Sequence, residues 1–153
     1  MSELGLQVLR AFQARALPAT FFFRLREVTC KPSLSLAVER LPNVAAATRE
    51  SGFDVCCHGW RWEDHVDTSP TFEASRIKRA IAGLTRILGA PPAGWCCRTA
   101  PSVSTRRLLL EHGGFVHDSD ACNDDLPHWV EVKVGDGADA RRWHLVVPSV
   151  PVP

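Results

Sequence analysis

Charge of one sign is what this chain lacks most plainly. Its 153 residues carry 18 lysines and arginines against 17 aspartates and glutamates, a formal net charge of +1. That balance leaves no electrostatic footprint for nucleic acid or an anionic membrane, so neither is expected as a partner. Long apolar runs are missing too. No stretch of 18 or more apolar residues occurs, and no transmembrane helix is expected. Met1 leads into Ser2, Glu3 and Leu4 without a basic segment or an apolar core. A secretory signal is therefore not expected, and the reading is cytoplasmic. CxxC spacing is absent, which argues against a zinc ribbon or a thioredoxin-type motif. The six cysteines are Cys30, Cys122 and the adjacent pairs Cys56–Cys57 and Cys96–Cys97. Adjacent cysteines rarely bridge each other, because the geometry is strained. In a reducing compartment they read as small apolar core residues. A metal or redox role at the strand ends is the less common alternative.

What is present is the composition of one globular domain, 45% hydrophobic and long enough to bury a core. Leu6, Leu9 and Phe12 place one apolar face on a helix in the first fifteen residues. Ala19 to Phe23 is a short apolar run, the mark of a strand buried on both faces. Residues 24–37 show no period and read as a loop or an insertion. Pro42 to Ser51 reads as a helix with Gly52 as its stop, and Phe53 to Cys57 as the next strand. Ser69-Pro70 resembles an N-cap followed by a first-position proline. Ile77, Ile81, Leu84 and Leu88 then give an amphipathic helix closed by Gly89. A strand over Gly94–Cys97, a helix through Leu108–Leu110 and a strand at Phe115–His117 complete the alternation. Val130, Val132 and Val134, the turn at Gly135–Gly137 and the run from Trp143 to Val147 form an antiparallel hairpin.

Alternating strand and helix predicts parallel strands with helical crossovers, in an open sheet or a barrel. Only about four strands precede the hairpin, fewer than a closed eight-stranded barrel holds. The expected class is α/β, a partial (β/α) barrel with a C-terminal hairpin. One incomplete domain over residues 1–147 is expected, with 148–153 as an unstructured tail.

Sites in such folds form at the carboxyl ends of the strands. Three of these ends are polar: His58 to His65, Arg98 to Ser102, and Asp118 to Asp125. Cleaving an amide with water needs a base, a donor for the developing oxyanion, and an acid for the leaving nitrogen. His58 and Asp120 suit proton transfer and Arg98 suits charge stabilisation. Trp60 and Trp62 could wall a pocket, with Asn123 and Asp124 as polar contacts. Most of these types have a commoner structural use, a hydrogen-bonded strand-end histidine, aspartates in turns, tryptophans in packing, and an arginine is as often set on loop carbonyls. Glu63-Asp64-His65 reads as a solvated loop face.

At these loops the sequence resembles the polysaccharide deacetylase (NodB-like) superfamily, and within it the branch of metal-independent allantoinases. The likeness runs through His58-Gly59-Trp60-Arg61-Trp62, Gly94-Trp95, and Arg98 to Pro101. It continues through Thr105 to Leu109, Glu111 to Phe115, Asp118-Ser119-Asp120, Asn123 to Pro127, and Trp129. The resemblance implies a distorted (β/α) barrel that hydrolyses non-peptide carbon–nitrogen bonds: the ureide ring of allantoin, or N-acetyl groups on chitin or peptidoglycan sugars. It also implies a first strand before Met1 and further strands after Pro148. Metal-using members hold a divalent ion with an aspartate and two histidines spaced H-x-x-x-H. Here His58 matches the first histidine and Trp62 falls on the second, so no metal and no other cofactor is expected. Arg98 with Pro101 matches an R-x-x-P segment whose arginine orients a carboxylate. The first reading is therefore an allantoinase-like amidohydrolase on a small molecule. N-acetyl-sugar deacetylation and a catalytically inactive binding remnant are the alternatives, and a homo-oligomer stays open.

Overall fold

The computed structural model describes residues 2–24, 36–37, 40–61, 63–135 and 140–148. A helix α1 (Ser2–Gln13) leads to strand β1 (Thr20–Arg24) and a two-residue strand β2 (Leu36–Ala37). Then come α2 (Pro42–Ser51), β3 (Asp54–Cys57), α3 (Pro70–Leu88), β4 (Gly94–Trp95), α4 (Thr105–His112) and β5 (His117–Asp118). The hairpin strands β6 (His128–Lys133) and β7 (Arg141–Val146) follow. The sheet order is β2-β1-β3-β4-β5-β7-β6. Every neighbouring pair is parallel except β6 with β7. The sheet is open, and it matches the expected partial barrel with a terminal hairpin.

The helices form where sequence periodicity puts them. In α3, Ile77, Ile81, Leu84 and Leu88 are buried, and Gly89 ends the helix in the left-handed region at φ 83°. Ser69 stands at the N-cap, but its side chain makes no capping hydrogen bond. Val44 and Ala45 of α2, Leu108 and Leu109 of α4, and Cys57 and Trp95 of the sheet join α3 in one core. In α1 only part of the expected face is covered: Leu9 is buried and Phe12 stays exposed.

Two expectations need correction. Residues 24–37 are not all loop: Leu36 and Ala37 pair in parallel with Phe23 and Arg24 as an edge strand. Two residues carry no period, so no pattern could reveal them. Residues 25–35 of that segment lie outside the described residues, as do the turn residues 136–139 and the tail from residue 149. The solvated face expected at His65 is also wrong, because His65 is 3% exposed. It stands edge-on to the buried Trp95, ring centres 5.9 Å apart.

Candidate active site

Because β3, β4 and β5 run parallel, the loops that follow them leave from one edge of the sheet. They converge on the backbone just after β4. Cys96 extends the β3 pairing by donating its N–H to the Cys57 carbonyl at 3.0 Å. Its own carbonyl accepts the Nδ1–H of His58 at 2.8 Å. The next residue, Cys97, donates its N–H to Asp120 Oδ1 at 2.5 Å. Arg98 follows, with Nη1 3.4 Å from Asp64 Oδ2, and the Thr99 hydroxyl donates to the other oxygen of Asp64. His58, Arg98 and Asp120 are thus brought together around three consecutive residues.

Asp118 and Asp120 are separated by one residue and driven in opposite directions. Burial opposes ionisation of Asp118, yet contacts from His144 and Arg106 outweigh it and hold its pKa well below the usual range. Arg106 grips it with two hydrogen bonds, Nε to Oδ2 at 2.6 Å and Nη2 to Oδ1 at 3.0 Å. His144 Nε2 lies 3.2 Å from Oδ2. In return, Asp118 raises the pKa of Arg106. Asp120 goes the other way: burial raises its pKa, and the negative Asp118 adds to that against the opposing Cys97 N–H. Asp120 Oδ2 is buried without a hydrogen-bond partner. Two carboxyls with separated pKa values are the usual signature of a division between fixed anion and proton carrier.

A second buried network lies one layer deeper. Glu73, fully buried on α3, accepts His65 Nδ1–H at 3.1 Å and the hydroxyls of Ser102 and Thr105, each at 2.5 Å. Burial works against its ionisation, but these donors prevail and lower its pKa.

The expected binding residues are more dispersed. Trp60 is half-buried against the core, with the guanidinium of Arg76 4.1 Å above its ring and that of Arg61 at 4.7 Å. Trp62 lies outside the described residues. Asn123 and Asp124 are exposed. Asp124 Oδ1 accepts the N–H groups of Asp125 at 2.8 Å and Leu126 at 3.3 Å, a local turn that lowers its pKa. Sequence reasoning missed Glu73, Arg106 and His144 as site partners. No local spacing links them to His65 or Asp118. Only the acidic residue in the first turn after Ser69-Pro70 hinted at Glu73.

The residues present do not fit a divalent metal of the family type. Trp62 stands four positions after His58, where the metal-using pattern has its second histidine, and His65 is turned into the interior toward Glu73. Among the described residues, no group of three or more His, Cys, Asp or Glu is arranged to hold a metal. Cys56, Cys57, Cys96 and Cys97 are free thiols. Burial pushes Cys57 and Cys96 up to about 12. Cys56 and Cys97 go higher still, first through burial and then through neighbouring anions. Cys30 lies outside the described residues. A cleft of about 250 Å³ opens near Asp54 and Ala93, at the amino ends of β3 and β4. Asp54 is its one carboxylate, with no histidine or cysteine among its lining residues, so the chemistry is assigned to the opposite edge.

The parallel strands β1 to β5, with Asp118 and Asp120 at their carboxyl edge, have the architecture of a partial (β/α) barrel. Residues 2–113 match the model of the polysaccharide deacetylase family, and the chain belongs to that family. It is 30% identical over 125 residues to a polysaccharide deacetylase-type protein of Schizosaccharomyces pombe, covering 76% of this chain and 39% of that one. Among solved structures it is similar to Puue allantoinase, at 32% identity and TM-score 0.73, covering 94% of this chain and 43% of that one. It is similar also to a protein titled "probable polysaccharide deacetylase" from Pseudomonas aeruginosa PAO1, at 33% identity and TM-score 0.71, with the same coverage of 94% and 43%. A Mycobacterium smegmatis structure shares the fold at 24% identity and TM-score 0.77, covering 96% and 46%. The chain spans less than half the length of each of these relatives. No helix among the described residues is long and apolar enough to cross a membrane.

Proposed function

We propose that this site hydrolyses a non-peptide carbon–nitrogen bond, and that its substrate is a cyclic ureide of the allantoin type. The observation that carries the reading is Asp120. It is a half-buried carboxyl with a raised pKa and one buried, unpartnered oxygen, held on the Cys97 N–H between Cys96, which binds His58, and Arg98 in sequence. A carboxyl so placed can take a proton from water and return it to a leaving nitrogen. Water adds to the ring carbonyl carbon, and the carbonyl electron pair moves to oxygen. Collapse of that intermediate breaks the C–N bond, and the nitrogen receives the proton. The Nδ1–H bond from His58 to Cys96 makes Nε2 the basic nitrogen of the neutral ring, a second proton acceptor. Arg98 steadies the developing oxyanion. Trp60 flanks the flat ring, and Asn123 and Asp124 meet its polar edge.

The choice of a ureide rests on Trp62 in place of a second histidine and on the likeness to an allantoinase. Deacetylation of an N-acetylated sugar is the second reading, favoured by the matched family's description and by the Schizosaccharomyces relative. The purified protein is assayed for allantoin ring opening and for acetate release from an N-acetylglucosamine oligomer, each with and without a chelator. Ring opening that survives chelation supports the ureide reading. Acetate release without ring opening overturns it in favour of deacetylation. Neither reaction from a folded sample overturns catalysis and leaves a binding role.

A further inference from the structure

We infer that Glu73 is a positioning residue, which sets the placement of Arg98 without touching the substrate itself. The inference rests on the proposed hydrolytic role of the Arg98 loop and deepens it. Beyond the His58–Cys96 bond, two side-chain ties join the loop after β3 to the loop after β4. The outer tie is Asp64 with Arg98 and Thr99, and the Asp64 side chain is 59% exposed. Such a pair is screened by water and holds little by itself. The inner tie is Glu73. It is 0% exposed and joins His65, adjacent to Asp64, to Ser102 and Thr105, which close the Arg98 loop onto α4. The loop that carries Arg98 is therefore tied by a weak outer contact and a buried inner one.

The inner network is nearly saturated at Ser102. Ser102 Oγ donates to Glu73 and accepts the N–H groups of Ser104 at 2.9 Å and Thr105 at 3.1 Å. Thr105 Oγ1 donates to Glu73 and accepts the N–H of Ser102 at 2.8 Å. Three donors thus converge on two carboxylate oxygens, and Ser102 Oγ, with two N–H groups already, is left no lone pair for a new donor. Glu73→Gln keeps the volume but presents its NH₂ to at least one of those donors, so it breaks the network rather than mimicking it.

The test pairs two readouts on Glu73→Gln, with Thr105→Val as a second variant should the first not fold. The first is amide hydrogen exchange. The expected result is faster exchange across residues 98–105 with unchanged protection in β3 and in the body of α3. Unchanged exchange across 98–105 overturns the inference. The second is turnover of the substrate that the native protein cleaves. A displaced Arg98 lowers kcat about 100-fold with KM held within about twofold. Equal kcat overturns the inference, as does a rise in KM alone. A native protein without turnover defeats the functional reading only, and the exchange readout then decides the role of Glu73.

Discussion

Asp120 takes the Cys97 N–H on one oxygen at 2.5 Å and keeps its other oxygen buried with no partner. Asp118, two residues away, is satisfied on both oxygens by Arg106. The same short segment therefore holds a fixed anion and a carboxyl ready to exchange its proton. A base works only when ionised, and burial with the Asp118 charge raises the pKa of Asp120. The acid limb of kcat/KM should then lie above the ordinary aspartate value of about 4. A pH–rate profile from pH 4 to 9 checks this. A limb at the ordinary value would remove Asp120 as the titrating group.

Arg106→Ala deletes the two-pronged partner of a carboxylate that is 1% exposed. Leaving such a charge unpaired typically costs about 3–5 kcal/mol. The guanidinium is itself one-third exposed, which holds the expected loss near the lower end, about 3 kcal/mol. The sign with pH follows from the lowered pKa of Asp118. Its stabilisation is complete above the unfolded aspartate value of about 4 and drains away as pH falls through the lower folded value. Urea unfolding of both proteins should show a gap at pH 7 that narrows at pH 3. A gap independent of pH would mean that Arg106 acts through packing alone.

Gly94 shows how β4 accommodates its neighbour. A Cβ there would press into the His117 ring and come within 3.2 Å of Cys56 Sγ. Gly94→Ala should destabilise by about 1–3 kcal/mol, the usual cost of overpacking. Adding His117→Ala should recover part of that loss, measured by thermal unfolding of the single and double variants. A double variant no better than the sum of its parts would relocate the strain.

The thiols should divide by burial. At pH 8, with Cys57 and Cys96 pushed up to about 12 and Cys56 and Cys97 higher, these four stay protonated and slow to alkylate. Cys122 is exposed and should label first among the described cysteines in the native state. Peptide mapping after brief iodoacetamide treatment reads the order. Early labelling of Cys96 would show that the site edge opens more widely than the fold implies.

Much of the framework was legible because it is local. The four-three-four spacing of Ile77, Ile81, Leu84 and Leu88 needs only helical geometry, and the glycines after α2 and α3 mark their ends. Alternation of strand and helix implied parallel strands, and that alone put His58, Arg98 and Asp120 at one edge. The partners were not legible, because contact between distant side chains leaves no period. Arg106, Asp118 and His144 sit on α4, β5 and β7 and meet only through the sheet order. His65 was misread for a related reason: Glu63, Asp64 and Asp67 make its surroundings look wet, whereas Glu73 and Trp95 enclose its ring.

The central claim is that Asp120 carries the proton in metal-independent cleavage of a ureide. Allantoin ring opening by the native protein and by Asp120→Asn, both in excess chelator, tests it most directly. Asparagine keeps an oxygen for the Cys97 N–H but cannot take up a proton, so the fold should persist and kcat should fall at least about 100-fold. Turnover by Asp120→Asn equal to the native rate, or native turnover abolished by the chelator, would contradict the account.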